Sequence, residues 1–412
     1  MKSLAFIILF IFSSVTSASV WKANRSWTPE DIQDFSSWIL SEEYHPMIFF
    51  SINSPYFGIE SDCADAIIAA RVIYSFQNNL PFILKTSKHN NDVITNKSDR
   101  FDNIENELER VKAFIHHIGQ SIGTEGLARF NSYPVKLNQL KPGDFYITRW
   151  KINGTFIRHA SMIKEILPTG HLILYSSTTP VKARELDIRE GMPLHIIEAK
   201  PWGFKRFIPH EIDMTTPVTL LQDYSLEQYQ ILEESGKDHF FPRVIDELKT
   251  REDTLDENLR RRVRNLCSAL KMRKREVEFT ALYLKELGNR CLNRDEFDEH
   301  STPSRDQSLL NGIKRLLYGW KKIRRSTHIT KVSQEIQLAL DYLIRKQRSL
   351  EAKSALNELC HIDLQINDNR VRFNLKHFFD LKMSSRISSH PNDEIAQRWG
   401  ASGPKTSCKT YY

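Results

Sequence analysis

At 412 residues the chain is long for one domain, and two is the starting expectation. Its 58 Lys and Arg against 51 Asp and Glu leave a formal charge of +7, which suits contact with anionic polymers. No run is both apolar and long enough to cross a bilayer, so an integral membrane protein is not expected.

Lys2 is followed by the apolar run from Leu4 to Phe12 and then by small residues from Ser13 to Ala18. This reads as a cleavable secretory signal over 1–18, with cleavage after Ala18, and places the mature protein outside the cytoplasm, secreted or periplasmic. No cysteine follows the run, which argues against a lipoprotein anchor. Export makes nucleic acid the weaker anionic partner. It also gives the five cysteines meaning. Cys267, Cys291, Cys360 and Cys408 can form two disulfides, with three connectivities open. Cys63 is the odd one, a candidate reactive thiol.

From 19 to 214 helical and strand patterns mix. Thr28 reads as an N-cap, with Pro29 at the first helical position and Glu30 and Asp31 in the first turn. Asp62-Cys63-Ala64-Asp65 opens a largely apolar run reaching Phe82, with Ile67, Ala70, Arg71 and Tyr74 at helical spacing. Residues 86–102 read as an exposed polar loop and 104–122 as an amphipathic helix. The period then changes to two. Strands are read at 145–150, 156–166 and 171–176, set off by Pro142-Gly143-Asp144, Asn153-Gly154 and Pro168-Thr169-Gly170. A short edge strand is read from Gly203 to Ile208.

From 215 onward the chain is charged and helical. Three apolar stripes read as core faces of a bundle: one from Leu255 to Leu284, one from Leu309 to Trp320, and one through Ile336, Leu340, Leu343, Leu350 and Leu359. Basic runs at 260–264 and 321–325 read first as solvated faces, with docking on an anionic wall as the other reading.

A cysteine at a helix start lies among unsatisfied N–H groups and at the positive end of the dipole, both of which favour the thiolate. His159, in the strand-like context 158–163, supplies a base. Together they point to a thiol hydrolase acting through an acyl-enzyme, with backbone N–H groups beside Cys63 to hold the oxyanion. The C-terminal cysteines are too widely spaced for a zinc cluster, and there is no phosphate-binding glycine loop or dinucleotide fingerprint. No cofactor or metal is expected.

Pro55-Tyr56-Phe57-Gly58, then Asp62-Cys63, then Leu140-Lys141-Pro142-Gly143-Asp144-Phe145, then His159 in a strand resemble the NlpC-type peptidases, papain-like cell-wall cysteine hydrolases, over residues 54–177. The resemblance implies a papain-like domain, a cysteine-bearing helix on an antiparallel sheet, acting on peptidoglycan stem peptides. It makes Cys63 the nucleophile, His159 the base and Tyr56 a substrate-positioning residue near the nucleophile. Asp62 matches the family's Asp-Cys pair and is assigned beside the substrate, although its residue type reads mainly as a helix cap. Ala64-Asp65 stands where the family has a small Ser-Gly pair. The third polar residue would fall on Leu174. In a shifted register Ser176 or His171 takes its place, and Ser176 is adopted.

The expectation is therefore an exported α+β, papain-like domain at 19–214 followed by an all-α helical domain at 215–412. Its activity would be that of a Cys-His peptidase or amidase on wall peptides. The alternative is a wall-binding or scaffold protein that keeps the fold without turnover.

Overall fold

The computed structural model describes residues 19–89, 92–152, 154–209, 217–344, 346, 348–367, 369–401 and 405–411. The signal segment read at 1–18, Asn153 of the Asn-Gly turn and the boundary read at 214/215 lie outside the described residues. Helix accounts for 46% and strand for 15%, and every described strand pairing is antiparallel, an α+β composition. The chain forms two compact units whose segments interleave. The first comprises Met1–Met162, Ser177–Glu185 and Ile197–Leu226, the second Ile163–Ser176, Leu186–Ile196 and Glu227–Tyr412.

The first unit opens with α1 (Pro29–Leu40), closed by the Thr28 cap and the reciprocal Asp31 bond that the sequence signalled. Next comes α2 (Cys63–Gln77), whose residues from Cys63 to Ser75 are all buried, as expected of a helix apolar on every side. The stretch read as a loop contains a correction: β1 (Ile83–Lys85) pairs with β2 (Val93–Thr95). Asn96, 1% exposed, anchors this ribbon by accepting from Phe82 N at 3.0 Å and donating to the Trp21 carbonyl at 3.1 Å. Polar composition had hidden a buried structural asparagine.

Then follow α3 (Glu107–Ser121), α4 (Thr124–Phe130), β3 (Ser132–Pro134), β4 (Phe145–Ile152) and β5 (Thr155–Ile166). β4 and β5 form the long hairpin read from the sequence, with Thr148 opposite His159 and Ile147 opposite Ala160. β6 (Leu172–Ser176) and β7 (Asp187–Gly191) belong to the second unit and pair there, Ser176 opposite Asp187. The chain then supplies β8 (Gly203–Phe207) to the first unit. It is not an edge strand: β3 pairs on one side and β4 on the other, giving the order β3-β8-β4-β5. Lys205 and Arg206 suggest an edge, but both charges have acceptors inside. Lys205 Nζ donates to the Ala128 carbonyl at 3.0 Å, and Arg206 is held by Asp144 and Asp223.

The second unit continues with α5 (Glu227–Ser235), α6 (Lys237–Leu248), the 32-residue α7 (Leu255–Glu286), α8 (Arg294–His300) and α9 (Pro303–Ile323). After these come α10 (Gln334–Leu343), α11 (Leu350–Leu359), β9 (Ile362–Ile366), β10 (Asn369–Phe373), α12 (Leu375–Met383) and α13 (Ile395–Arg398). Leu259, Val263, Leu270 and Val277 of α7 meet Ile313, Leu316 and Trp320 of α9 in one core. Two expectations change here. The third stripe belongs to two helices, α10 and α11, and Leu350 is 85% exposed. The region is also not all-α, because β9 and β10 pair as a hairpin, packing Ile362, Leu364 and Phe373 into the core. The disulfides are Cys267–Cys360 and Cys291–Cys408, which leaves Cys63 as the free cysteine.

Gly170 and Gly288 both adopt left-handed φ, +76° and +66°. A Cβ at Gly288 would meet open space, whereas one at Gly170 would collide with the Ile245 backbone carbonyl. Gly288→Ala is expected to cost about 1–2 kcal/mol, and Gly170→Ala at least twice as much in a urea titration. Equal losses would contradict this packing.

Candidate active site around Cys63

Asp62 caps α2, its Oδ1 accepting from Ala64 N at 2.9 Å and Asp65 N at 3.2 Å. Asp65 Oδ2 in turn accepts from Asp62 N at 2.9 Å, closing the capping box. Cys63 occupies the first helical position between them, with its side chain buried and the residue 5% exposed. Its own backbone N–H is the first-turn donor that no described acceptor takes, so the oxyanion donors expected at this helix start narrow to one.

Two neighbours reach the thiol from distant parts of the chain. Thr124, at the start of α4, has Oγ1 3.6 Å from Sγ. The backbone N–H of Ala160 in β5 lies near enough to the sulfur to favour the thiolate. This brings the strand carrying His159 against the start of the cysteine helix. His159 directly precedes Ala160, is half-buried, and shares its strand face with Ser161.

The electrostatics run against the expected thiolate. Burial first, and then the Asp62 and Asp65 carboxylates, push the thiol up to about 11; the Thr124 and Ala160 contacts oppose this. At neutral pH the thiol therefore stays protonated. The helix start does not dominate, because desolvation of the buried thiol and the neighbouring carboxylates outweigh it.

Asp65 is itself perturbed. Burial and the adjacent Asp62 push its carboxyl up to about 6, while the Asp62 backbone N–H and His116 draw it down. The fit is close: a Cβ at Gly119 on α3 would lie 2.8 Å from Asp65 Oδ1.

The remaining assigned residues fall elsewhere. The Tyr56 hydroxyl is buried, pushed up to about 12 by desolvation, and acted on by the Gln77 side chain. Gln77 ends α2, about 21 Å along the helix from Cys63. Asp62 serves as the cap. Ser176 is the last residue of β6, half-buried, in the second unit. Sequence reasoning missed Thr124, which carries no motif, and took Asp65 only as a departure from the family pattern.

A cavity of about 450 Å³ in the first unit is lined by other residues, among them Arg71, Tyr133, Lys141, Asp144, Arg206 and Asp223. Arg206 forks onto Asp144 at 2.6 and 2.7 Å and also pairs with Asp223, to which the Tyr133 hydroxyl donates at 2.9 Å. Arg71 stacks 3.4 Å over Trp27. The Pro-Gly-Asp turn thus supplies the buried acceptor for this network, and neither Cys63 nor His159 lines the cavity. Among the described residues no group of three or more His, Cys, Asp or Glu side chains is placed to hold a metal. No helix of the described residues is long and apolar enough to cross a membrane. No protein-family model, curated protein or solved structure matches the chain.

The folded Asp65 carboxyl keeps its proton to about pH 6, against 3.8 for an ordinary aspartate. Between those values the native state binds more protons than the unfolded one, so stability falls as pH rises through the window, by up to about 3 kcal/mol. Asp65→Asn should flatten that slope in thermal melts from pH 4 to 7. An unchanged slope would show that Asp65 titrates normally.

Proposed function

We propose that the protein is an exported thiol hydrolase with a papain-like, NlpC-like catalytic unit that cleaves an amide bond in peptidoglycan stem peptides. The observation that carries the reading is the approach of the Ala160 backbone N–H to the Cys63 sulfur. It sets the histidine-bearing strand beside the odd cysteine, although 97 residues separate Cys63 from Ala160. The two disulfides of the second unit fit an oxidising compartment.

In this mechanism the thiol is protonated at rest. His159 takes its proton as Sγ attacks the amide carbon, and the Cys63 N–H faces the developing oxyanion. Collapse breaks the C–N bond, and the imidazolium returns the proton to the departing amine. Water, deprotonated by His159, then cleaves the thioester to a carboxylate and restores the thiol. Asp65 is an opponent of this chemistry, since its charge disfavours sulfur ionisation.

One observation favours a second reading. A thiol 5% exposed and pushed up to about 11 has the character of an inert buried cysteine. A wall-binding scaffold that keeps the fold accounts for that equally.

The test is release of new amino termini from purified peptidoglycan. Cys63→Ala is expected to abolish release. His159→Ala should lower kcat by roughly 10²-fold or more, and Asp65→Asn should raise kcat at neutral pH. Wall binding without product in the unmodified protein selects the scaffold reading.

A further inference from the structure

The basic runs of the second unit have different fates. On α7, Arg260, Arg261, Arg264, Arg273, Lys274 and Arg275 each pair with a carboxylate, while the exposed Arg262, Lys271 and Lys285 are spread along the helix without one among the described residues. The paired cations serve the fold. On α9 the one acidic residue, Asp306, is fully buried and committed to Arg273 at 2.6 Å. Lys314, Arg315, Lys321 and Lys322 are exposed and have no carboxylate within ion-pair distance among the described residues, and the same holds for Arg325 just past the helix.

These side chains form a continuous face. At 3.6 residues per turn, Lys314, Arg315, Tyr318, Lys321 and Lys322 lie within about 120° of one another. Tyr318 is 64% exposed in their midst, with Lys322 Nζ 4.6 Å from its ring centre. The opposite face, through Ile313, Leu316, Leu317 and Trp320, is spent on the core. An amphipathic helix that enters a membrane interface needs its apolar face free, and α9 has none to offer. What it presents is a row of cations, about 12 Å from Lys314 to Lys322.

We propose that this face of α9 docks a linear phosphodiester polymer of the cell wall. The charge complementarity comes from the unpaired row itself. The wall as the source rests on the exported reading above, and the disulfides weigh against nucleic acid.

Fluorescence anisotropy of a labelled glycerol-phosphate oligomer with the full chain tests this. Binding that engages four charges should weaken about 50-fold between roughly 50 and 200 mM salt. Lys314→Glu with Lys321→Glu should weaken binding at least tenfold and flatten the salt response. Arg262→Glu with Lys271→Glu, the same charge change at exposed positions of α7, should change it less than twofold. Equal losses in the two pairs, absence of binding, or tighter binding to a single-stranded oligonucleotide of equal charge or to anionic vesicles would each overturn the proposal. Cys63→Ala should bind as the unmodified chain does. The assay needs no turnover, so its failure and that of the hydrolase reading are separable.

Discussion

Asp62 and Asp65 close the first turn of a helix that is buried on every side, each accepting the backbone N–H groups of the other's neighbourhood. The chemistry of the candidate site follows from that arrangement. A buried helix start must satisfy its orphan donors. Here two carboxylates do so at the very position where Cys63 sits. The same groups that stabilise α2 disfavour a second negative charge on Cys63, and Gly119 keeps α3 close enough to hold Asp65 in place. For the proposed hydrolase, transfer of the proton during attack therefore suits the site better than a resting ion pair with histidine.

The two halves of the sequence treat charge differently for a related reason. In the first unit, buried cations are matched to specific acceptors, as with Arg206 on Asp144 and Asp223, and Lys205 on a backbone carbonyl. Arg273 and Asp306 repeat the pattern within the second unit. On α9 the exposed cations Lys314, Arg315, Lys321 and Lys322 share one face. Desolvation makes an unmatched buried charge costly, which is why the buried cations are matched.

Much of the architecture was legible because it depends on local signals. The Thr28-Pro29 start, the Cys63 helix, the β4–β5 hairpin and the α7 and α9 stripes are periodicity and capping made visible. The β9–β10 hairpin also alternates at period two, but Asp363, Gln365, Arg370 and Arg372 made its short segments read as part of a charged helical region. Sequence order left three cysteine pairings open, and only packing selected one. Thr124 and Ala160 meet the thiol through tertiary contact, beyond the reach of any motif. The raised thiol pKa was missed because the burial of Cys63, which outweighs the helix start, is set by tertiary packing.

The central claim is that Cys63 and His159 act together. The most direct measurement is the pH dependence of Cys63 alkylation in the folded, unreduced protein, with and without His159→Ala. The account predicts slow labelling at neutral pH, rising towards about pH 11, and at least tenfold slower labelling near neutrality in the variant, where the assisting base is lost. Superimposable profiles would contradict it, leaving Cys63 a buried structural thiol.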